Sequence, residues 1–121
     1  MPILNETSCW AVGLACVLML MDVLTGFAGA AIRGEVSSAK MRVGLGHKVL
    51  LLCVIALSVI IEVGAQHVAG LGFGGVTVNI VCAYISVMEV ASSLENVCAA
   101  YPELRDTPLM RLFQHDEGGE E

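Results

Sequence analysis

Charge is scarce in this 121-residue chain: Asp, Glu, Lys and Arg make up only 15% of it, against 56% apolar residues and a mean hydropathy of +0.78. A soluble domain this small has too little interior to hide so much apolar surface, which excludes an ordinary water-soluble fold and places the chain in a membrane. Basic residues are scarcer still, six against twelve acidic ones, and the net charge of −6 argues against a nucleic-acid partner. No Lys or Arg precedes Arg33. The N-terminus MPILNETSCW therefore lacks the basic n-region of a signal peptide, and the first apolar segment is expected to be retained.

The groupings that carry chemistry are missing as well. Cys9, Cys16, Cys53, Cys82 and Cys98 form no CxxC pair, and His47, His67 and His115 stand apart from one another and from the cysteines. No metal site is expected, and the cysteines read as reduced packing residues. Ser92 and Ser93 have Glu95 nearby but no histidine, so the pattern predicts no catalytic residue, no cofactor and no enzyme. Gly70, Gly72 and Gly75 in GLGFGG fit G-x-G-x-x-G, yet they join two apolar runs rather than a strand and a helix, which makes them a turn. VGLGHK lacks the spacing and the Ser/Thr of a phosphate-binding loop. Asn5-Glu6-Thr7 is formally a glycosylation sequon, which means nothing if the host is bacterial. There is no internal repeat and no dividing linker, so residues 1–121 are read as a single domain.

What is present is three apolar runs, at about 9–32, 48–66 and 76–97, each near the 20 or so residues needed to cross a bilayer. Asp22 costs on the order of 3 kcal/mol near the centre of the first, but nine Leu, Val, Ile or Phe residues return about 0.3 to 0.6 kcal/mol each, so the span inserts. The second, VLLLCVIALSVII, ends near Glu62, which is expected to reach the headgroups. The third contains Asn79 and Glu89 and most needs partners. The connection RGEVSSAKMRVGLGHK carries Arg33, Lys40, Arg42 and Lys48 against one Glu35, and the tail carries Arg105 and Arg111. Positive-inside counting puts that connection and the C-terminus in the cytoplasm and the N-terminus outside. The expected fold is an all-α membrane protein with three transmembrane helices and a cytoplasmic tail over 98–121. In that tail Thr107 and Pro108 open a short helix, LMRLFQ, anchored on the inner membrane face by Leu109, Met110, Leu112 and Phe113. The acidic end HDEGGEE is expected to be disordered.

The polar residues within the spans follow helical spacing. Asn79, Cys82, Ser86, Glu89, Ser93 and Asn96 share one face of the third helix. Ala11, Ala15, Leu18, Asp22, Thr25, Gly26 and Gly29 share one face of the first, and Ser58 and Glu62 lie one turn apart on the second. Two readings follow. The faces can pack together within one three-helix subunit, or they can meet between subunits and line water once many copies have gathered. With Lys48 placed near the cytoplasmic surface and His67 near the outer one, neither is positioned to neutralise Glu89. The second reading is therefore preferred, with Asp22, Thr25, Gly26, Gly29, Glu62, Asn79, Ser86, Glu89, Ser93, Glu95 and Asn96 as oligomer- or pore-facing residues.

Two stretches carry a resemblance. MDVLTGFAGAAIRGEVSSAKMRVGLGHKVLLL resembles the first part of the toxin-secretion/phage-lysis holin family through Asp22, Thr25, Gly26, Arg33, Gly34, Ser37, Ser38, Gly44 and Lys48. YISVMEVASSLENVCAAYPEL is similar to the family's ending through Glu89, Ser92 or Ser93, Leu94, Glu95, Asn96 and Pro102, with Cys98 to Tyr101 where the family usually has a glycine. The resemblance covers about residues 20–104. It implies a small protein of the bacterial cytoplasmic membrane that oligomerises and opens lesions, releasing a cell-wall-degrading endolysin or, in some members, a toxin. Its implied partners are further copies of itself, membrane lipid, a functionally coupled endolysin and an antiholin. The alternatives are a small transporter or channel subunit, an accessory membrane subunit, or an antiholin that blocks the lesion.

Overall fold

The computed structural model describes residues 5–71 and 74–106. Helix α1 runs Glu6–Arg33, α2 runs Ser38–Ala65 and α3 runs Thr77–Ala100, with 3-10 turns at Gly74–Val76 and Pro102–Asp106. At 1.5 Å per residue, α1 and α2 are each about 42 Å long and α3 about 36 Å. All three are long and apolar enough to cross a membrane. The segment LMRLFQ lies outside the described residues, as does Gly72 of the expected turn; Gly70 there is left-handed, at φ 85°.

The largest departure from expectation is the start of α2. The stretch from Ser38 to His47, expected as a cytoplasmic connection, is the first two and a half turns of the helix. Ser37 caps it, its hydroxyl accepting the Lys40 N–H at 3.3 Å. Gly44 and Gly46 cost about 1 kcal/mol each in a helix, too little to break one this long. The true connection is only four residues, Gly34 to Ser37. Gly34 makes it possible by taking φ 69°, so that its N–H reaches Ala31 O and the Glu35 N–H reaches Ala30 O. At the other end of α1, Asn5 is an N-cap: its Oδ1 accepts the Ser8 N–H at 2.8 Å. That role belongs to the residue the sequence offered as a glycosylation acceptor.

Helix α3 lies between the others, packed extensively on α1 and less so on α2, while α1 and α2 scarcely touch. Residues seven apart face each other along the α1–α3 seam, Ala15, Asp22 and Gly29 on one side and Cys82, Glu89 and Asn96 on the other, the interval that keeps two helices in register. Gly29 permits the close approach, since a Cβ there would lie 3.3 Å from the Asn96 carbonyl oxygen and 3.4 Å from the Ala100 Cβ. A small apolar core of Ala15, Met19, Ile55, Val78, Cys82 and Ile85 fills the end of the bundle nearer the α2–α3 connection. Large apolar residues such as Leu14, Leu20, Leu24, Leu50, Ile60 and Val87 cover the outside. Lipid, not water, suits such a surface.

Candidate functional site

Three helices converge on one cation. Lys48 reaches from α2 to Asp22 Oδ2 on α1 and Glu89 Oε1 on α3, each at 2.5 Å. The Asn96 amide nitrogen, two turns beyond Glu89, donates to Asp22 Oδ1 at 2.9 Å and lies 3.1 Å from both the Asp22 carbonyl and Thr25 Oγ1. The Thr25 hydroxyl in turn bonds back to the Met21 carbonyl at 2.9 Å. Gly26 leaves room for the amide, which sits 3.4 Å from where a Cβ would be. Both Asp22 carboxylate oxygens and Glu89 Oε1 thus have a donor, the condition under which charge is tolerated away from water.

This corrects the expectation that Lys48 stays near the surface, unable to neutralise Glu89. Because α2 starts at Ser38, Lys48 lies ten residues in, about 15 Å along the axis. Asp22 is eleven residues from the end of α1 at Arg33, and Glu89 eleven from the end of α3 at Ala100, so all three groups stand at nearly the same level. The Ser37 cap was the signal in the sequence that would have placed the lysine correctly.

A second polar cluster occupies the far end. Glu62, expected to reach the headgroups, is 4% exposed and turns onto the other two helices three residues before the end of α2. Its Oε1 accepts the Val78 N–H at 2.9 Å, and its Oε2 lies 3.5 Å from the Ser8 hydroxyl. Val76, at the N-cap of α3, supplies no side-chain acceptor, and Glu62 fills that role from another helix. A carboxylate at a helix N-terminus is favoured both by the free N–H groups and by the helix dipole. The absence of a capping side chain at Val76 was the one hint available beforehand.

Between the connection and the Lys48 cluster lies a cavity of ≈ 700 Å3, walled by α1, α2 and α3. Arg33, Glu35, Lys40 and Glu95 line it toward the connection, Phe27, Met41 and Leu45 along its length, and Asp22, Lys48 and Glu89 at its floor.

The structure therefore gathers Asp22, Thr25, Gly26, Gly29, Glu89 and Asn96 around Lys48, and sets Glu62 apart, fourteen residues further along α2. Ser86 is buried on the same face of α3. Asn79 and Ser93 are also on it, their Oδ1 and Oγ atoms buried with no hydrogen-bond partner among the described residues. Glu95 is exposed at the cavity's edge, and Arg33, Lys40 and Arg42 are exposed near the connection, with Arg33 Nε 3.0 Å from Glu35 Oε1. In the single chain the polar faces thus meet one another, the arrangement ranked second from the sequence.

Compared with known proteins, residues 4–101 match the family model described as the bacteriophage holin family. That is most of the chain, and the chain belongs to this family. With its three apolar helices it is a multi-pass membrane protein of the holin type. No curated protein and no solved structure matches it.

Proposed function

Starting from that membership, we propose that the protein is a phage holin that accumulates in the bacterial cytoplasmic membrane, oligomerises, and opens lesions through which an endolysin or a toxin leaves the cell. The N-terminus is outside and the C-terminus and the Gly34–Ser37 connection are inside, in keeping with Arg33, Lys40 and Arg42 clustering at that end. The observation that carries the reading is the inversion of the bundle: charged and amide groups are enclosed by the three helices while the outer surface is apolar.

Such a chain can gather in lipid without leaking, because the flanks of its helices are covered mainly by large apolar side chains. Its buried polar faces are also what a water-lined lesion needs. In the proposed transition, neighbouring copies exchange helix contacts so that Asp22, Thr25, Gly26, Gly29, Glu89, Ser93 and Asn96 leave the subunit interior and face solvent or another copy, with Glu62, Asn79 and Ser86 following along the same faces. Glu95 already lies at the edge. Two packings of the same helices separated by a few kcal/mol are sufficient for a switch of this kind.

Expression in bacteria tests it. The chain should abruptly stop growth, collapse the membrane potential and release a co-expressed endolysin. A transporter or accessory subunit would leave all three unaffected. An antiholin would leave them unaffected alone and delay lysis by an active holin.

A further inference from the structure

Four layers succeed one another along the bundle axis. From the Gly34–Ser37 connection, the ≈ 700 Å3 cavity leads to Asp22, Lys48 and Glu89. Next comes the apolar core, and beyond it the Glu62 cluster. The order follows from the numbering: Met19 precedes Asp22 by three residues, Ile85 precedes Glu89 by four, and Ile55 follows Lys48 by seven, all away from the cavity. Within the core Ala15, Val78 and Cys82 are 0% exposed and Ile85 is 2% exposed.

The cavity does not suit hydrocarbon along its whole depth. At its floor the side chains of Asp22 and Lys48 each keep 16% of their surface open, and two carboxylates face one ammonium there. The other charged or titratable groups lining it are Arg33 and Glu35 at the end of α1 and the connection, Lys40 and His47 on α2, and Glu95 on α3. Water is the filling that solvates all of them, and a cavity of this volume holds many molecules. The layer beyond is built on Ala15, Met19, Ile55, Val78, Cys82 and Ile85 and holds no charged group among the described residues. Of its buried hydroxyls, Ser86 and Ser58, the latter donates to the Ile55 carbonyl at 2.6 Å. Mainly apolar constrictions of that kind stop permeation by staying dry.

The geometry points to a half-channel within the single chain: water and small cations from the side bearing the Gly34–Ser37 connection reach Asp22, Lys48 and Glu89, and the layer of Met19, Ile55, Cys82 and Ile85 is the barrier that stops them. This goes beyond the lesion reading and does not depend on it, since it concerns one subunit before any assembly opens.

Thiol accessibility in sealed vesicles tests it. Single-cysteine chains are compared in a background whose other cysteines are replaced: Ser92→Cys in the cavity, native Cys82 in the barrier, Glu35→Cys to mark the connection side, and His67→Cys to mark the opposite side. The probe is a charged, membrane-impermeant methanethiosulfonate, and a dye trapped in the vesicles reports that no lesion has formed. Ser92→Cys should be modified from the same side as Glu35→Cys and not from the side of His67→Cys, while Cys82 shows complete loss of labelling. Replacing Ile85 by Ser should then expose Cys82 to the probe. Ser92→Cys that reacts only with a lipid-soluble maleimide would overturn the idea, showing a cavity filled by acyl chains or a neighbour. So would labelling of Ser92→Cys from both sides, or of unaltered Cys82 from either. Because the dye stays trapped, any of these results leaves the lesion reading standing.

Discussion

Glu89 and Glu62 are almost equally buried, 2% and 4% exposed, and they are held by different means. Glu89 relies on the ammonium of Lys48, carried by another helix. Glu62 relies on a backbone N–H at the start of α3, with a weaker contact to the Ser8 hydroxyl. Equal burial makes the partner the variable. A charge partner is one side chain, so the arrangement at Glu89 can be undone by many substitutions at one position, whereas the backbone partner of Glu62 is removed only by proline at position 78. Both clusters join all three helices, the first through ion pairs to one ammonium and the second through the start of α3 and a long 3.5 Å contact to Ser8 on α1. If the subunit is to change its packing, the first is the place where loss of one side chain removes the ionic contacts of α2 with both α1 and α3.

The comparison is broken most severely at Lys48. Lys48→Met leaves Asp22 and Glu89 buried without their cation, and loss of one member of a buried ion pair destabilises by about 3 to 5 kcal/mol. Unfolding in detergent should show the loss, and in cells lysis should begin earlier. Adding Glu89→Gln to Lys48→Met should recover part of it by removing a stranded charge. Unchanged stability and lysis timing in Lys48→Met would mean that the cluster is not what holds the closed form.

Glu62→Ala should cost about 1 to 2 kcal/mol, the range of lost helix caps. Amide exchange at Val78 should quicken, while Glu62→Gln, which keeps an acceptor, should sit near the parent chain. Asn96→Leu sharpens the contrast within the first cluster. It removes the amide that bonds Asp22 and Thr25 but leaves Lys48 in place, so a loss of roughly 1 kcal/mol is expected from the usual strength of hydrogen bonds between membrane helices. The smallest effect belongs to Glu35→Ala. Its pair with Arg33 is exposed, such pairs contribute about 0 to 1 kcal/mol, and lysis timing should match that of the parent chain.

Much of the fold was legible in the sequence because it follows from periodicity. The first and third apolar runs matched their helices to within a few residues at each end, and the faces grouped by spacing are the faces that point inward. Family membership was legible too, in Asp22, Thr25, Gly26 and the Leu94-Glu95-Asn96 triplet. The partner of Glu89 was not. Its assignment depended on where α2 begins, and a stretch with four basic residues ahead of an apolar run reads as a connection when the cap at Ser37 is overlooked. The ten-residue error moved Lys48 about 15 Å along the axis, enough to separate an ion pair that exists. The cap at Glu62 was hidden for a different reason: it joins residues on separate helices, and one of the two atoms is a backbone nitrogen that every sequence position except proline carries.

The sequence by itself determined that this chain enters a membrane through three helices and which side of each helix is polar, because hydropathy and helical spacing act along the chain and need no knowledge of neighbours. Only the tertiary structure decided which polar groups meet: Lys48 with Asp22 and Glu89, Asn96 with Asp22, Glu62 with the start of α3. Those pairings depend on the axial level at which three helices stand beside one another, and level is set by caps, connection length and close packing at Gly29 rather than by the composition of any one span.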